Sequence, residues 1–449
     1  MSFLALPLLL AFLTPATAVS SSTLLLARSH SMTPNAGAPL TAWAAAVAAQ
    51  SAADTARITS MLTVITPAPT LSKSKPKPQN PKGKANPAVP IAPGRQILSI
   101  PNYVARAGLG TPPQPLLVAI DPSNDAAWVP CSACAGCVVP ASSASFSPTQ
   151  SSTYRTVPCG SPQCALVPST PSCPAGVGSS CGFNLTYAAS AFQAVLGQDS
   201  LSLDSNVVSS YTFGCLRVVT GNSVPLQGLI GFGRGPLSFL SQTKNTYGSV
   251  FSYCLPNYRS SNFSGSLKLG PIGQPKRIKT TPLLTNPHRP SLYYVNMVGI
   301  RVGSKAVQIP QSALAFDPDT GSGTIVDAGT MFTRLAPPVY AAVRDAFRAR
   351  VRAPVAAPLG GFDTCYNVSV SVPTVTFVFA GGVAVTLPEE NVMIHSSSGG
   401  VECLAMAAAP AAGVNAALNV LASMQQQNHR VLFDVANGRV GFSRELCTV

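Results

Sequence analysis

Charge is what this sequence has least of. Asp, Glu, Lys and Arg make up 10% of its 449 residues, against roughly 25% in an average soluble chain. A charged disordered tail and a coiled coil both need more and are excluded. Long apolar runs are scarce as well. Beyond the N-terminus the longest, Leu404 to Met424, is broken by Pro410, Gly413, Asn415 and Asn419, so no segment there supplies the ~20 residues of a membrane span. Histidine is limited to His30, His288, His395 and His429, none in a catalytic pattern. There is no HExxH and no P-loop. Gly178-Ser-Ser180-Cys-Gly182 matches GxSxG but follows no apolar strand, which a nucleophile elbow needs. Gly231-Phe-Gly233-Arg-Gly235 has the wrong spacing for a dinucleotide loop and reads as a turn. Serine–histidine, zinc-peptidase and hydride chemistries therefore lack their parts.

What the chain has in quantity is punctuation. Its 42 prolines and 35 glycines, in so apolar a sequence, predict many short strands and turns. From Gln96 onward, Leu116 to Ile120, Val250 to Leu255, Tyr293 to Val302 and Pro373 to Phe379 are apolar runs bounded by turn residues. One helix is predicted in this region, Pro338 to Ala353, with Val339, Val343 and Phe347 on one face. The region is read as all-β, and at about 350 residues it can bury two cores.

The net charge of +14 suggests a nucleic-acid partner until it is located. Residues 1–95 hold eight basic residues and one acid, Asp54. Lys73, Lys75, Lys77, Lys82 and Lys84 are interleaved with Pro76, Pro78 and Pro81, which makes a stiff, solvated linker. No aromatic residues interleave for base stacking, so a processing segment is favoured over a nucleic-acid arm. Met1 to Ala18 reads as a secretory signal, with an apolar core from Phe3 to Leu13 and a cleavage site at Ala16-Thr17-Ala18. Residues 19–92 read as a prosegment, in which Thr41 to Val64 has helical composition. The 12 cysteines, seven of them from Cys131 to Cys181, fit an oxidising compartment. Cys131-x-x-Cys134-x-x-Cys137 lacks a second motif or a nearby histidine, so disulfides are preferred to a metal cluster. Sequons at Asn184, Asn262 and Asn367 agree with secretion.

One signature occurs twice. Leu116-Leu-Val-Ala-Ile-Asp121-Pro122-Ser123-Asn124 and Gly323-Thr-Ile-Val-Asp327-Ala328-Gly329-Thr330 each run an apolar strand into an Asp, two small residues and a short polar one. A carboxylate ending a buried strand is costly unless partnered. Two in duplicate settings predict two similar lobes, each contributing one acid. Carboxylates that meet cannot both ionise and share a proton. One can then serve as general base on a water while the other, protonated, polarises a carbonyl. Coordinates that buried each carboxylate against its own basic partner would contradict this reading.

Here the sequence resembles the pepsin-like aspartic proteases, in the plant branch that includes nepenthesin and the chloroplast-nucleoid DNA-binding protease, over roughly residues 96–449. Asp121 is followed by Trp128-Val-Pro, and a Cys-rich insert runs from Cys131 to Cys181. Leu185-Thr-Tyr187-Ala-Ala-Ser190 is similar to the flap hairpin, and Gly228-Leu-Ile-Gly231 to the turn under the first Asp loop. Val431 to Asp434 and Arg439 to Phe442 resemble the family's last strands. The resemblance implies a bilobal fold of two β-barrel-like lobes, residues 93–285 and 286–449, with a cleft between them. It implies Asp121 and Asp327 as the dyad, supported by Ser123, Asn124, Gly329 and Thr330. Tyr187 would be the flap tyrosine, its hydroxyl accepting from the Trp128 indole. It further implies a monomeric zymogen, secreted to the apoplast or alternatively sent to vacuole or chloroplast, whose basic prosegment leaves the cleft as the carboxylates protonate. The partner would be polypeptide, with no cofactor, metal, membrane span or nucleic acid.

The sequence also departs from the family. Pro122 and Ala328 replace the hydroxyl residues that would cross between lobes, leaving the Ala328 N–H without its acceptor at ~1–3 kcal/mol if buried and dry. Ala188 and Ala189 stand where flap glycines are common. With nine cysteines before residue 285 and three after it, full pairing needs a bridge between lobes. Cys365–Cys403 is expected within the second, leaving Cys447 to reach back. Three functions follow: an acid endopeptidase using dyad-activated water; a binding or inhibitor protein with a weakened site; and a DNA-binding protease that keeps its basic segment.

Overall fold

The computed structural model describes residues 40–61, 88–98, 100–138, 145–173, 178–396, 399–410 and 417–447. The expected signal peptide and the Lys/Pro linker lie outside these. Short strands dominate, as the density of proline and glycine requires. In the first half Tyr103–Leu109 pairs antiparallel with Gln114–Asp121, and Gly182–Tyr187 with Ser190–Leu203. Ser190–Leu203 then runs back along Asn206–Thr220. Inward and outward positions alternate along Ser190–Leu203, the period-two signature of a strand with one buried face.

Each half carries the same crossover. Ala119 to Asp121 lie parallel to Leu229 to Gly231, and Gly323 to Val326 parallel to Leu418 to Leu421. The strand ending at each aspartate is thus fixed from the side by a second parallel strand. The halves are joined by a sheet to which both contribute. Val89–Pro93, Gly265–Leu269, Val250–Cys254, His429–Asp434, Arg439–Arg444 and Lys279–Leu284 pair antiparallel in that order. Phe251 stacks on Phe433 at 4.6 Å, so one core runs beneath both halves. The fold is bilobal and predominantly β.

All 12 cysteines are paired, as Cys131–Cys215, Cys134–Cys137, Cys159–Cys173, Cys164–Cys181, Cys254–Cys447 and Cys365–Cys403. The bridge from Cys447 back to the first half is the one that cysteine parity requires. The helix expected at 338–353 spans Pro337–Val351 and buries Val339, Tyr340, Val343 and Phe347. The run Tyr293 to Val302, expected as one strand, is two. Tyr294–Val295 pairs with Gly323–Val326, whereas Met297–Val302 pairs with Val375–Phe379 in another sheet. The chain changes layer at Asn296. Among the described residues no helix is long and apolar enough to cross a membrane. The three sequon asparagines are exposed.

One element stands apart from the sheets. Helix α1, Leu40–Met61, buries Trp43, Val47, Gln50, Ser51, Asp54, Arg57 and Ile58 along one face, the three- and four-residue spacing of a helix stripe. Trp43 and Val47 enter an apolar cluster with Phe332, Phe362 and Ile394, and Ile58 joins Leu292, Tyr294, Ile325 and Val420. The helix therefore lies along the second half of the molecule, with its C-terminal turn at the aspartate loops.

Candidate active site

The two signature aspartates come together at the ends of their strands, both fully buried. Asp121 Oδ1 accepts from the Ser123 N–H at 2.9 Å, and its Oδ2 from Asn124 Nδ2 at 3.0 Å. Asp327 Oδ1 accepts from the Gly329 N–H at 3.0 Å, and its Oδ2 from the N–H and hydroxyl of Thr330 at 2.9 and 2.6 Å. The duplicated signature has become duplicated geometry: in each loop, the residues two and three positions on hold the carboxylate. Beneath the first loop, Phe232 N–H donates to the Asp121 carbonyl and Gly233 N–H to that of Asn124. A Cβ at Gly231 or Gly233 would collide with the Asn124 carbonyl, so only glycine allows this approach. Asp327 N–H donates to the Leu421 carbonyl, which anchors the second loop.

The hydroxyl of Ser123 crosses between the halves and donates to Asp327 Oδ1 at 2.8 Å. Pro122 and Ala328 predict the loss of inter-lobe hydroxyl bonds, and sequence reasoning did not foresee this replacement from the next position. Among the described residues the N–H of buried Ala328 finds no acceptor.

A hairpin covers the pair. Tyr187 faces Ser190 across the two-residue turn Ala188-Ala189, and Ala188 takes φ +51°, where an L-residue is uncommon. The Tyr187 hydroxyl donates to Asp121 Oδ2 at 3.3 Å and accepts from Asn102 Nδ2 at 3.2 Å. This corrects the expected bond from Trp128. Among the described residues the Trp128 indole nitrogen has no hydrogen-bond partner, and the two rings meet edge-on at 5.4 Å. The Asp121 carboxylate and the Asn102 amide draw the hydroxyl away from the indole.

Sequence reasoning also missed Arg57. From the last turns of α1 its Nη2 donates to Asp121 Oδ1 at 2.7 Å and to Asp327 Oδ1 at 3.1 Å, and its Nε to Asp327 Oδ2 at 3.2 Å. Among the described residues the carboxylates are not paired off with separate cations; they share one guanidinium. Because one nitrogen lies 2.7 and 3.1 Å from the two Oδ1 atoms, these are no more than 5.8 Å apart. Burial works to raise the Asp327 pKa, but the Arg57 charge and the bonds from Arg57, Thr330 and Ser123 outweigh it and hold the carboxyl below its usual range. Burial likewise works against the charged Arg57, and the attraction of Asp121 and Asp327 reverses it, raising its pKa well above the ordinary value. Tyr187 closes from above, with the guanidinium 5.3 Å from its ring centre, and Ser60 Oγ accepts from the Ala188 N–H at the flap tip. A Cβ at Gly329 would strike the guanidinium. The signal was present in the sequence: Asp54 and Arg57 are the only charged residues in the 22-residue helix, three positions apart and therefore on one face.

Two lobes that each deliver one buried aspartate under a hairpin flap define the pepsin-like class of acid protease folds. Models of the xylanase inhibitor N-terminal and C-terminal domains match residues 103–271 and 292–444. The chain is 48% identical to aspartyl protease 25 of Oryza sativa subsp. japonica over 379 residues, covering 80% of this chain and 85% of that one. It is 33% identical to aspartic proteinase nepenthesin-1 of Nepenthes gracilis over 363 residues, 77% of this chain and 78% of that one. The chain belongs to the plant branch of the pepsin-like aspartic protease family. Among solved structures, basic 7S globulin from soybean shares the fold, with a TM-score of 0.61 at 24% identity over 79% of this chain and 95% of the globulin.

Proposed function

We propose that this protein is an aspartic endopeptidase, held latent by α1, that cuts polypeptides with water activated between Asp121 and Asp327. The observation that carries the reading is the pair of buried carboxylates, one per lobe, close enough to share a single nitrogen of Arg57. With Arg57 withdrawn, the two buried like charges lose their counterion, which favours one proton held between them. The ionised member takes a proton from a water as it attacks the peptide carbon, and the protonated member donates to the carbonyl oxygen. Tyr187 and the flap close over the substrate. The apolar pocket of Leu292, Tyr294, Ile325 and Val420, which Ile58 fills in the latent chain, is open to a substrate side chain after α1 leaves. The relatives named as proteases support this reading.

Latency follows from the same contacts. Asp327 has a lowered pKa while Arg57 is bound, so its contribution to holding α1 is complete above the ordinary carboxylate range, about pH 4. It is lost as pH falls through the lowered value. Acid therefore loosens the helix. A cut between residues 62 and 87 frees α1 and leaves the Val89–Pro93 strand in its sheet, so the prosegment is proposed to end before that strand and not at 92 within it. A secreted, monomeric protein in an acidic compartment such as the apoplast fits this device.

Purified protein, incubated with a denatured substrate at pH 3–5, is expected to cut it, to be blocked by pepstatin and to be silent at pH 8. A folded, processed chain with no turnover would instead favour a binding protein, a reading that the missing hydroxyls at Pro122 and Ala328 support. Ser123→Ala removes a hydrogen bond to a charged group, about 1.5–3 kcal/mol. It is expected to lower kcat by roughly 10- to 100-fold with little change in KM. Steady-state kinetics of the processed protein check this, and an unchanged kcat would leave the crossing hydroxyl without a role.

A further inference from the structure

Three residues before Arg57, the helix places a second charge in the cleft. The Asp54 carboxylate accepts from two successive backbone amides of the loop after Asp327, Met331 N–H to Oδ1 at 3.0 Å and Phe332 N–H to Oδ2 at 2.9 Å. The helix supplies one more donor, Gln50 Nε2, at 2.9 Å. Arg334 lies beyond, on the strand Thr333–Leu335. Its Nη2 donates to the carbonyl and hydroxyl of Ser51 on the helix at 3.0 and 2.7 Å, and its field acts on the Asp54 carboxylate. Arg334 is 4% exposed, yet its Nε has no hydrogen-bond partner among the described residues. These groups belong to two sets. Asp54, Ser51 and Gln50 leave with α1, whereas the two amides and the guanidinium stay with the lobe that carries Asp327.

We infer that Met331 N–H, Phe332 N–H and Arg334 form a subsite that selects an acidic side chain in the polypeptide substrate, a subsite that Asp54 occupies in the latent chain. The inference rests on the endopeptidase reading for its substrate, and on the Asp54 contacts for its chemistry. Two parallel amide donors match the two oxygens of one carboxylate, as a single substrate carbonyl cannot. With α1 gone, the two amides are unmet donors and the buried guanidinium is an uncompensated charge; an incoming Asp or Glu meets the first directly and the second through space, as Asp54 does. A neutral side chain leaves them unmet, and buried donors left unpaired are what a binding site discriminates by most strongly. The position is constrained as well. Asp54 and Arg57 are separated by three residues, about 4.5 Å along a helix axis. An extended chain covers that in one or two residues at ~3.3 Å each, so the acid is expected within about three residues of the cleaved bond.

The test uses full-length protein, folded and then freed of α1 by limited proteolysis, in an Asp327→Asn form that cannot turn over. Otherwise identical octapeptides with Asp or Asn moved through successive positions are titrated by calorimetry at pH 5.5. At one position within three residues of the bond that the unsubstituted protein cuts, Asp is expected to bind about tenfold more tightly than Asn. Arg334→Gln is expected to bring that ratio close to one, and Arg334→Lys, which keeps the charge, to retain most of it. No preference at any position, or one that survives Arg334→Gln, overturns the inference. Turnover by the form retaining Asp327 is measured separately. A protein that binds the acidic peptide selectively but cuts nothing keeps the subsite and loses the endopeptidase reading. In that outcome the position of the acid is mapped against the dyad by its distance from residues 121 and 327 in a complex structure.

Discussion

Replacing Asp327 with Asn is expected to lower kcat/KM of the processed protein by at least about a thousandfold, some 4 kcal/mol of transition-state stabilisation. The substitution is nearly isosteric, but it fails twice. Asn neither ionises nor shares a proton, so the water loses its base or the carbonyl its acid. The site around residue 327 is also built of donors, from Gly329, Thr330 and Ser123, and an amide NH2 must confront one of them. Peptide hydrolysis at acid pH, with the melting temperature measured alongside, separates lost chemistry from lost structure. Activity within tenfold of the unsubstituted protein, in a folded variant, would remove Asp327 from the mechanism.

Arg57→Ala is expected to have the opposite sign in the unprocessed chain. Removing one partner from a buried ion pair typically costs about 3–5 kcal/mol, here taken from the docking of α1 and not from the lobes. The population with an open cleft should rise by roughly 10²-fold to a few times 10³-fold. Full-length Arg57→Ala should then cut a peptide near pH 5.5 while still intact on a gel, under conditions where the unsubstituted full-length chain is silent. The pH response separates the two charges of the helix. Asp327 is lowered by Arg57, so acid weakens that contact. Asp54 is raised, because burial outweighs the field of Arg334 and the bonds from Met331, Phe332 and Gln50. It takes up its proton more readily docked than free, so its contribution favours docking as pH falls from the raised value to the ordinary one. Acid release must therefore come from the dyad and Arg57. Full-length Arg57→Ala that stays silent until processed would contradict the account of latency.

Much of this site was legible in the sequence, because an apolar strand that ends on a carboxylate is an anomaly with a physical cost. The duplicated pattern around Asp121 and Asp327 identifies both aspartates, and the short polar residues after them are the ones that hold the oxygens. Cysteine parity requires a bridge between lobes, and Cys254–Cys447 supplies it. What was not legible depends on where distant pieces meet. The place of α1 is set by long-range packing of Trp43, Val47 and Ile58 against the second lobe, and nothing local in the sequence encodes it. The Tyr187 hydroxyl had two partners, Asp121 and Asn102, that a pairwise expectation with Trp128 did not weigh. The break at Asn296 is invisible in a continuous apolar run, because both flanking segments are strands and only their partners differ.

The central claim is that Asp121 and Asp327 hold one proton between them and that this state is the catalyst. The pH dependence of kcat/KM for the processed protein tests it most directly, since coupled carboxylates titrate as a pair with two separated apparent pKa values. The account predicts a bell confined to the acid range, with both limbs set by the dyad and with activity gone by neutral pH. A rate that stays level from pH 4 to pH 8 would show that no shared proton is needed, and would contradict it.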